Sequence, residues 1–138
     1  LQDWITHLAA NSIEKIETKL VHRGDKHQIR TLSLQPLEAK IAEKYLSVFL
    51  EIYQDSLKAP VFFPPKQSRA LNRDLKNGKE QKVTLDKLAA EWSNEYSFSE
   101  GPDPYWNNLF DVTKAFDDEF AYLATEIWEP LEKTLANE

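Results

Sequence analysis

Between Pro36 and Pro60 the chain places Leu37, Ile41, Tyr45, Val48, Ile52 and Leu57 at the spacing that brings side chains to one face of an α-helix. Leu46, Phe49, Leu50 and Tyr53 widen that stripe, so the helix is expected to be buried on more than one side. Pro36 suits the first helical position, and Lys58-Ala59-Pro60 ends the run. So broad an apolar surface cannot face water, and the flanking segments have to supply its cover.

Upstream, Trp4, Ile5 and Leu8 repeat at helical spacing, and Asn11-Ser12 ends that helix. Residues 13–22 and 28–34 then carry alternating and β-branched side chains on either side of Arg23-Gly24-Asp25-Lys26, which predicts a β-hairpin. Ile16, Thr18 and Leu20 fall on one face, with Leu32 and Leu34 able to pair beside them. A lone hairpin is marginal in water, so it has to pack on a helix or join a larger sheet. Downstream, Val61-Phe62-Phe63-Pro64-Pro65 is too rich in proline for a central strand and reads as an extended plug anchored by the two phenylalanines.

A short basic helix is expected from about Gln67 to Lys76, ending at Asn77-Gly78. Thr84 has the character of an N-cap, with Asp86 in the first turn and Leu85, Leu88, Ala89, Trp92 and Tyr96 on one face. In the stretch EGPDPYWNNLF, Gly101-Pro102 turns the chain, Asp103 caps, Pro104 starts a very short helix, and Tyr105, Trp106, Leu109 and Phe110 form its buried face. A last helix runs from near Thr113 through Phe116, Phe120, Leu123, Ile127, Leu131 and Leu135, with a kink expected at Pro130. The fold class is α+β: mainly helical, with one β-hairpin packed on a long helix.

At 138 residues the chain suits a single domain. Without methionine, and opening on Leu1-Gln2-Asp3-Trp4, it reads as a fragment of a larger polypeptide. The absence of cysteine excludes disulfides and thiolate sites and makes the reducing cytoplasm the expected compartment. No apolar run approaches the roughly 20 residues of a membrane span, and no membrane partner is expected. The net charge of -6 hides an asymmetry. Lys58 to Lys82 holds seven basic residues against Asp74 and Glu80, whereas from Asp86 onward thirteen acidic residues face Lys87, Lys114 and Lys133. A polyanion such as DNA is drawn to the first segment and repelled by the second.

Few residues offer chemistry. Gly24, Gly78 and Gly101 are too scattered for a phosphate-cradling loop, and no cofactor or small-molecule substrate is implied. His7, His22 and His27 include no metal-binding pair at helical spacing, and Arg23-Gly24-Asp25 is explained by the turn. Asp3, Glu17 and Lys19 could supply the carboxylates and lysine of a Mg²⁺-dependent nuclease of the PD-(D/E)xK type. Against that, Asp3 lies on a helix and no further acidic residue or glutamine is placed to help, so a solvated strand face is the better account.

Residues 58–66 (KAPVFFPPK) and 100–110 (EGPDPYWNNLF), in this order of hairpin, long helix, aromatic plug and tryptophan-bearing turn, resemble the C-terminal region of the RecC family, the gamma subunit of exodeoxyribonuclease V. The resemblance implies a non-catalytic domain within RecBCD, an ATP-dependent helicase and nuclease that processes double-stranded DNA ends for recombinational repair. It implies a degenerate PD-(D/E)xK nuclease-like core that has lost its metal ligands, helps split the duplex, and contacts RecB-like and RecD-like subunits. It places Chi recognition mainly elsewhere in the subunit. The local positive charge of residues 58–82 makes Lys66, Arg69, Arg73 and Lys76 the expected contacts to DNA phosphates in the assembled complex, and Asp103, Pro104, Tyr105 and Trp106 are the structural signature of the turn.

Overall fold

Helix α1 (Gln2–Asn11) turns Trp4 and Leu8 inward and leaves Ile5 at the surface. The computed structural model describes residues 1–23, 28–92 and 104–135 of the chain. These form two compact units, Leu1–Gln54 together with the segment from Glu129, and Asp55–Trp128.

In the first unit the antiparallel hairpin is present, as β1 (Thr18–Arg23) and β2 (Ile29–Leu34). Thr18 lies opposite Leu34 and Leu20 opposite Leu32, the pairing expected from the alternation. The first strand starts later than its pattern suggested. Ile13 and Ile16 are exposed, because the Asn11 side chain ties the Ile16 backbone into the turn that leaves α1. The Arg23 to Lys26 turn lies outside the described residues apart from Arg23 itself. At the end of β2, Leu34 makes an antiparallel bridge to Leu135, and the Gln35 N–H donates to the Thr134 carbonyl at 2.8 Å.

The long helix, α2 (Ala39–Ser56), begins three residues after Pro36 rather than at it. The intervening backbone is already committed: the Leu37 N–H donates to Asn11 Oδ1 at 2.8 Å, and the first helical bonds run to the Glu38 carbonyl. Burial on several sides is also not what the helix shows. Ala42 is fully buried and Tyr45, Leu46 and Phe49 are half-buried, while Ile41, Leu50 and Tyr53 stay exposed. The core of this unit is a narrow cluster of Trp4, Leu8, Leu34 and Ala42, flanked by Leu20, Leu37, Leu131 and Leu135.

The second unit is organised around Phe62, which the extended segment after α2 delivers into the interior as expected of a plug. Its ring lies 5.1 to 5.7 Å from those of Trp92, Trp106, Phe110, Phe116 and Phe120. Helices α3 (Pro65–Lys76) and α4 (Gln81–Trp92) pack together beside it. Thr84 is not an N-cap: α4 starts three residues earlier, and the buried Thr84 hydroxyl donates back to the Glu80 carbonyl at 2.9 Å. Leu85, Leu88 and Trp92 are buried as expected, while Tyr96 lies outside the described residues.

Pro104 does open a short helix, α5 (Pro104–Leu109), but that helix buries none of its residues fully. Tyr105 and Leu109 are exposed and Trp106 and Phe110 half-buried, because the short element lays one edge on Phe62 and leaves the other in solvent. Gly101, Pro102 and the expected cap Asp103 fall outside the described residues. The last helical run is two helices, α6 (Val112–Ala115) and α7 (Asp118–Thr134). Asp117 divides them, its carboxylate accepting from the Phe120 N–H at 2.9 Å as an N-cap does. Helix α7 continues through Pro130 to Thr134. The boundary between the two units falls within α2 and within α7.

Candidate nucleic-acid interface

The basic helix starts two residues earlier than its charge pattern suggested, because Pro64 is extended (φ -67°, ψ 117°) and Pro65 supplies the first helical residue without an N–H to satisfy. It ends as expected, at Asn77 and a left-handed Gly78 with φ +79°. A β-carbon on Gly78 would meet nothing within 4 Å, so the backbone conformation, not crowding, calls for glycine there.

Along α3 the buried side is Gln67, Ser68, Leu71, Asn72 and Asp74. Lys66, Arg69, Arg73 and Lys76 are all exposed. At 100° per residue these four fall within an arc of about 80°, and they extend over about 15 Å of helix axis. One face of one helix therefore carries a row of four cations, two of them in the last turn, where the helix dipole favours positive charge.

Two contacts fix this row. The Arg69 guanidinium lies 5.6 Å from the centre of the Trp128 ring, and the indole N–H of Trp128 donates to Ser68 Oγ at 2.9 Å. The ring is thus held by one α3 residue and covered by the next. At the other end, the buried Asp74 carboxylate collects Lys79 at 2.9 Å, with Lys87 and Arg73 each at 3.8 Å. The hydrogen bond from Lys79 holds the Asp74 carboxyl below its ordinary range; burial opposes this, and the charges of Lys79, Lys87 and Arg73 reinforce it. One carboxylate among three cations leaves a net positive charge at the end of α3, while on α4 Lys87 also pairs with Glu91 at 3.6 Å.

Asp3 sits in the first turn of α1, Glu17 just before β1, and Lys19 on β1 with its ammonium 3.8 Å from Glu17. Among the described residues no group of three carboxylate, imidazole or thiolate side chains is placed to hold a metal ion. Charge and spacing alone were enough to find the α3 row. They did not reveal Asp74 as its anchor, since Lys79 and Lys87 come from outside the helix, nor Trp128, whose spacing from Ala121 and Ala124 was the one available signal.

No helix among the described residues is long and apolar enough to cross a membrane. Comparison with curated proteins and with solved structures finds no match. The profile of the RecC C-terminal domain matches residues 1–76. EGPDPYWNNLF and α7 lie beyond that segment. The match runs from α1 through the hairpin and α2 to Lys76, the last cation of the α3 row, and by this stretch of more than half its length the chain belongs to the RecC C-terminal domain family.

Proposed function

We propose that this domain is a non-catalytic, end-handling part of the gamma subunit of a RecBCD-type helicase and nuclease, meeting the phosphates of double-stranded DNA ends through Lys66, Arg69, Arg73 and Lys76. The observation that carries the reading is the placement of those four exposed cations along one face of α3, inside the segment that matches the family. Phosphate contacts of this kind position DNA without reading its sequence. The strongly acidic stretch from Asp86 onward repels DNA and suits contacts with RecB-like and RecD-like subunits. A hairpin that shares its core with a long helix, and Glu17 and Lys19 pairing with each other, support descent from a nuclease core that has lost its ligands.

The test is a salt titration of duplex-end binding by the assembled complex, parent against a Lys66, Arg69, Arg73 and Lys76 quadruple alanine variant. The variant is expected to bind less tightly at low salt. If all four residues meet phosphates, the slope of log affinity against log salt falls by up to roughly 3 to 4. Preference among end sequences is expected to change little. Superimposable curves would show that the row is only a solvated helix face.

A further inference from the structure

The second unit carries an apolar trough that the DNA-facing row does not use. Two grooves, of about 400 and 580 Å³, share Ala59, Pro60, Val61 and Phe110 as a common wall. At one end Leu57, Tyr105 and Leu109 stand 70%, 68% and 44% exposed. At the other, Asp55, Asp117 and Glu119 rim a floor made by Phe62 and Phe120, with no basic side chain in that lining. Lys58 answers Asp55 at 2.8 Å, and Asp117 is engaged as the cap of α7, yet the two positions that follow it, Asp118 and Glu119, add further negative charge. The trough therefore presents exposed apolar side chains beside Lys58 at one end and a net anionic rim at the other.

We infer that this trough docks a segment of a partner protein that presents apolar side chains against Tyr105 and Leu109 and a lysine or arginine against Glu119 and Asp117. Charge complementarity selects the occupant. The carboxylate rim opposes a polyanion, which keeps nucleic acid away, and an acidic peptide is excluded for the same reason. The exposed aromatic explains why α5 is built as it is. A helix of six residues is unstable alone and depends on packing, yet this one turns its tyrosine and its leucine outward, where buried aromatic anchors are worth most in an interface.

The inference rests on reading the chain as one domain of a multi-subunit assembly, but not on where DNA lies. A photo-crosslinking amino acid at Leu109 of the full-length protein, in the purified assembly, tests it. Purification of the assembly reports on membership itself, and the crosslink reports on the trough. The expected product joins Leu109 to a partner segment in which apolar residues neighbour lysine or arginine. Glu119→Lys is expected to lower its yield by about fivefold, the effect of roughly 1 kcal/mol of lost charge pairing. Glu119→Gln gives a smaller loss and serves if the lysine variant does not assemble. Absence of a crosslink from an intact assembly, a crosslink to DNA, to a second copy or to an acidic segment, or a yield indifferent to both Glu119 variants would each overturn the proposal.

Discussion

The two units of this chain centre on different contacts, although both bury polar side chains, Gln67, Ser68, Asn72, Asp74 and Thr84 among them in the second. The interior of the first is crossed by polar groups. His7 and Asn11 are fully buried, with His7 stacked on Trp4 and its two ring nitrogens 2.7 Å from Thr18 Oγ1 and 3.2 Å from the Gln35 carbonyl. Asn11 donates to the His7 and Ile16 carbonyls and accepts from the Ile16 and Leu37 N–H groups. A single side chain thus fixes the end of α1, the approach to β1 and the entry to α2. In the second unit the centre is a ring surrounded by rings. Hydrogen bonds match each donor to one acceptor and so specify which segment goes where, whereas the Phe62 cluster is held by edge-on contacts among many rings.

The comparison is broken most severely by Phe62→Ala. Removal of the ring that five others touch is expected to cost about 3 to 5 kcal/mol. Hydrogen exchange is expected to show protection lost first in α3, α4 and the start of α7. Equal loss in the hairpin would show that the two units do not differ as described.

Asn11→Ala attacks the other kind of bond, leaving the buried N–H groups of Ile16 and Leu37 without their acceptor, at an expected cost of about 2 to 3 kcal/mol. Asn11→Asp sets a buried carboxylate oxygen against the His7 and Ile16 carbonyls, so denaturant melts at neutral pH should place it no higher than alanine. A melt for Asn11→Ala that coincides with the parent would mean the network contributes nothing.

The smallest effect is that of pH. Burial pulls the His7 imidazole below its ordinary value near 6.5, against a weaker opposing hydrogen bond to the Gln35 carbonyl. The folded state therefore binds this proton less readily than the unfolded one, and the contribution of His7 is complete above about pH 6.5 and lost as pH falls below it. Asp74, whose carboxyl is also lowered, keeps its contribution above the ordinary value of 3.8 and loses it only as pH falls through its lowered one. Acidification should loosen the hairpin unit first. Stability is expected to fall as pH drops from 7 to 5 in the parent and to change less over that range in His7→Gln. A slope unchanged by that substitution would remove His7 from the account.

Local signals in the sequence were read correctly where the cause is itself local. The register of Leu20 with Leu32 follows from alternation, the end of α3 from Asn77-Gly78, and the basic character of α3 from local charge. The failures share a different cause. An apolar stripe on α2 shows what could be buried and not how much cover exists, so Ile41, Leu50 and Tyr53 were assigned to a core that does not reach them. Threonine both caps helices and bonds back within them, and only the start of α4 at Gln81 separates the two roles for Thr84. The burial of His7 and Asn11 depends on Gln35 and Leu37, more than twenty residues away, and no pattern near them announces it.

The bridge between Leu34 and Leu135 has a consequence in time. The cover that Leu131 and Leu135 give to the hairpin core is among the last parts of the described chain to be synthesised, after the whole of residues 55–128. At about 5 to 20 residues per second, that interval is on the order of 4 to 15 s. The second unit, continuous in sequence, can close on the ribosome while α1, the hairpin and α2 wait with Leu34 uncovered. For those seconds the Leu34 end of β2 lacks its bridge as well, and that is when a chaperone or a partner strand has most to act upon.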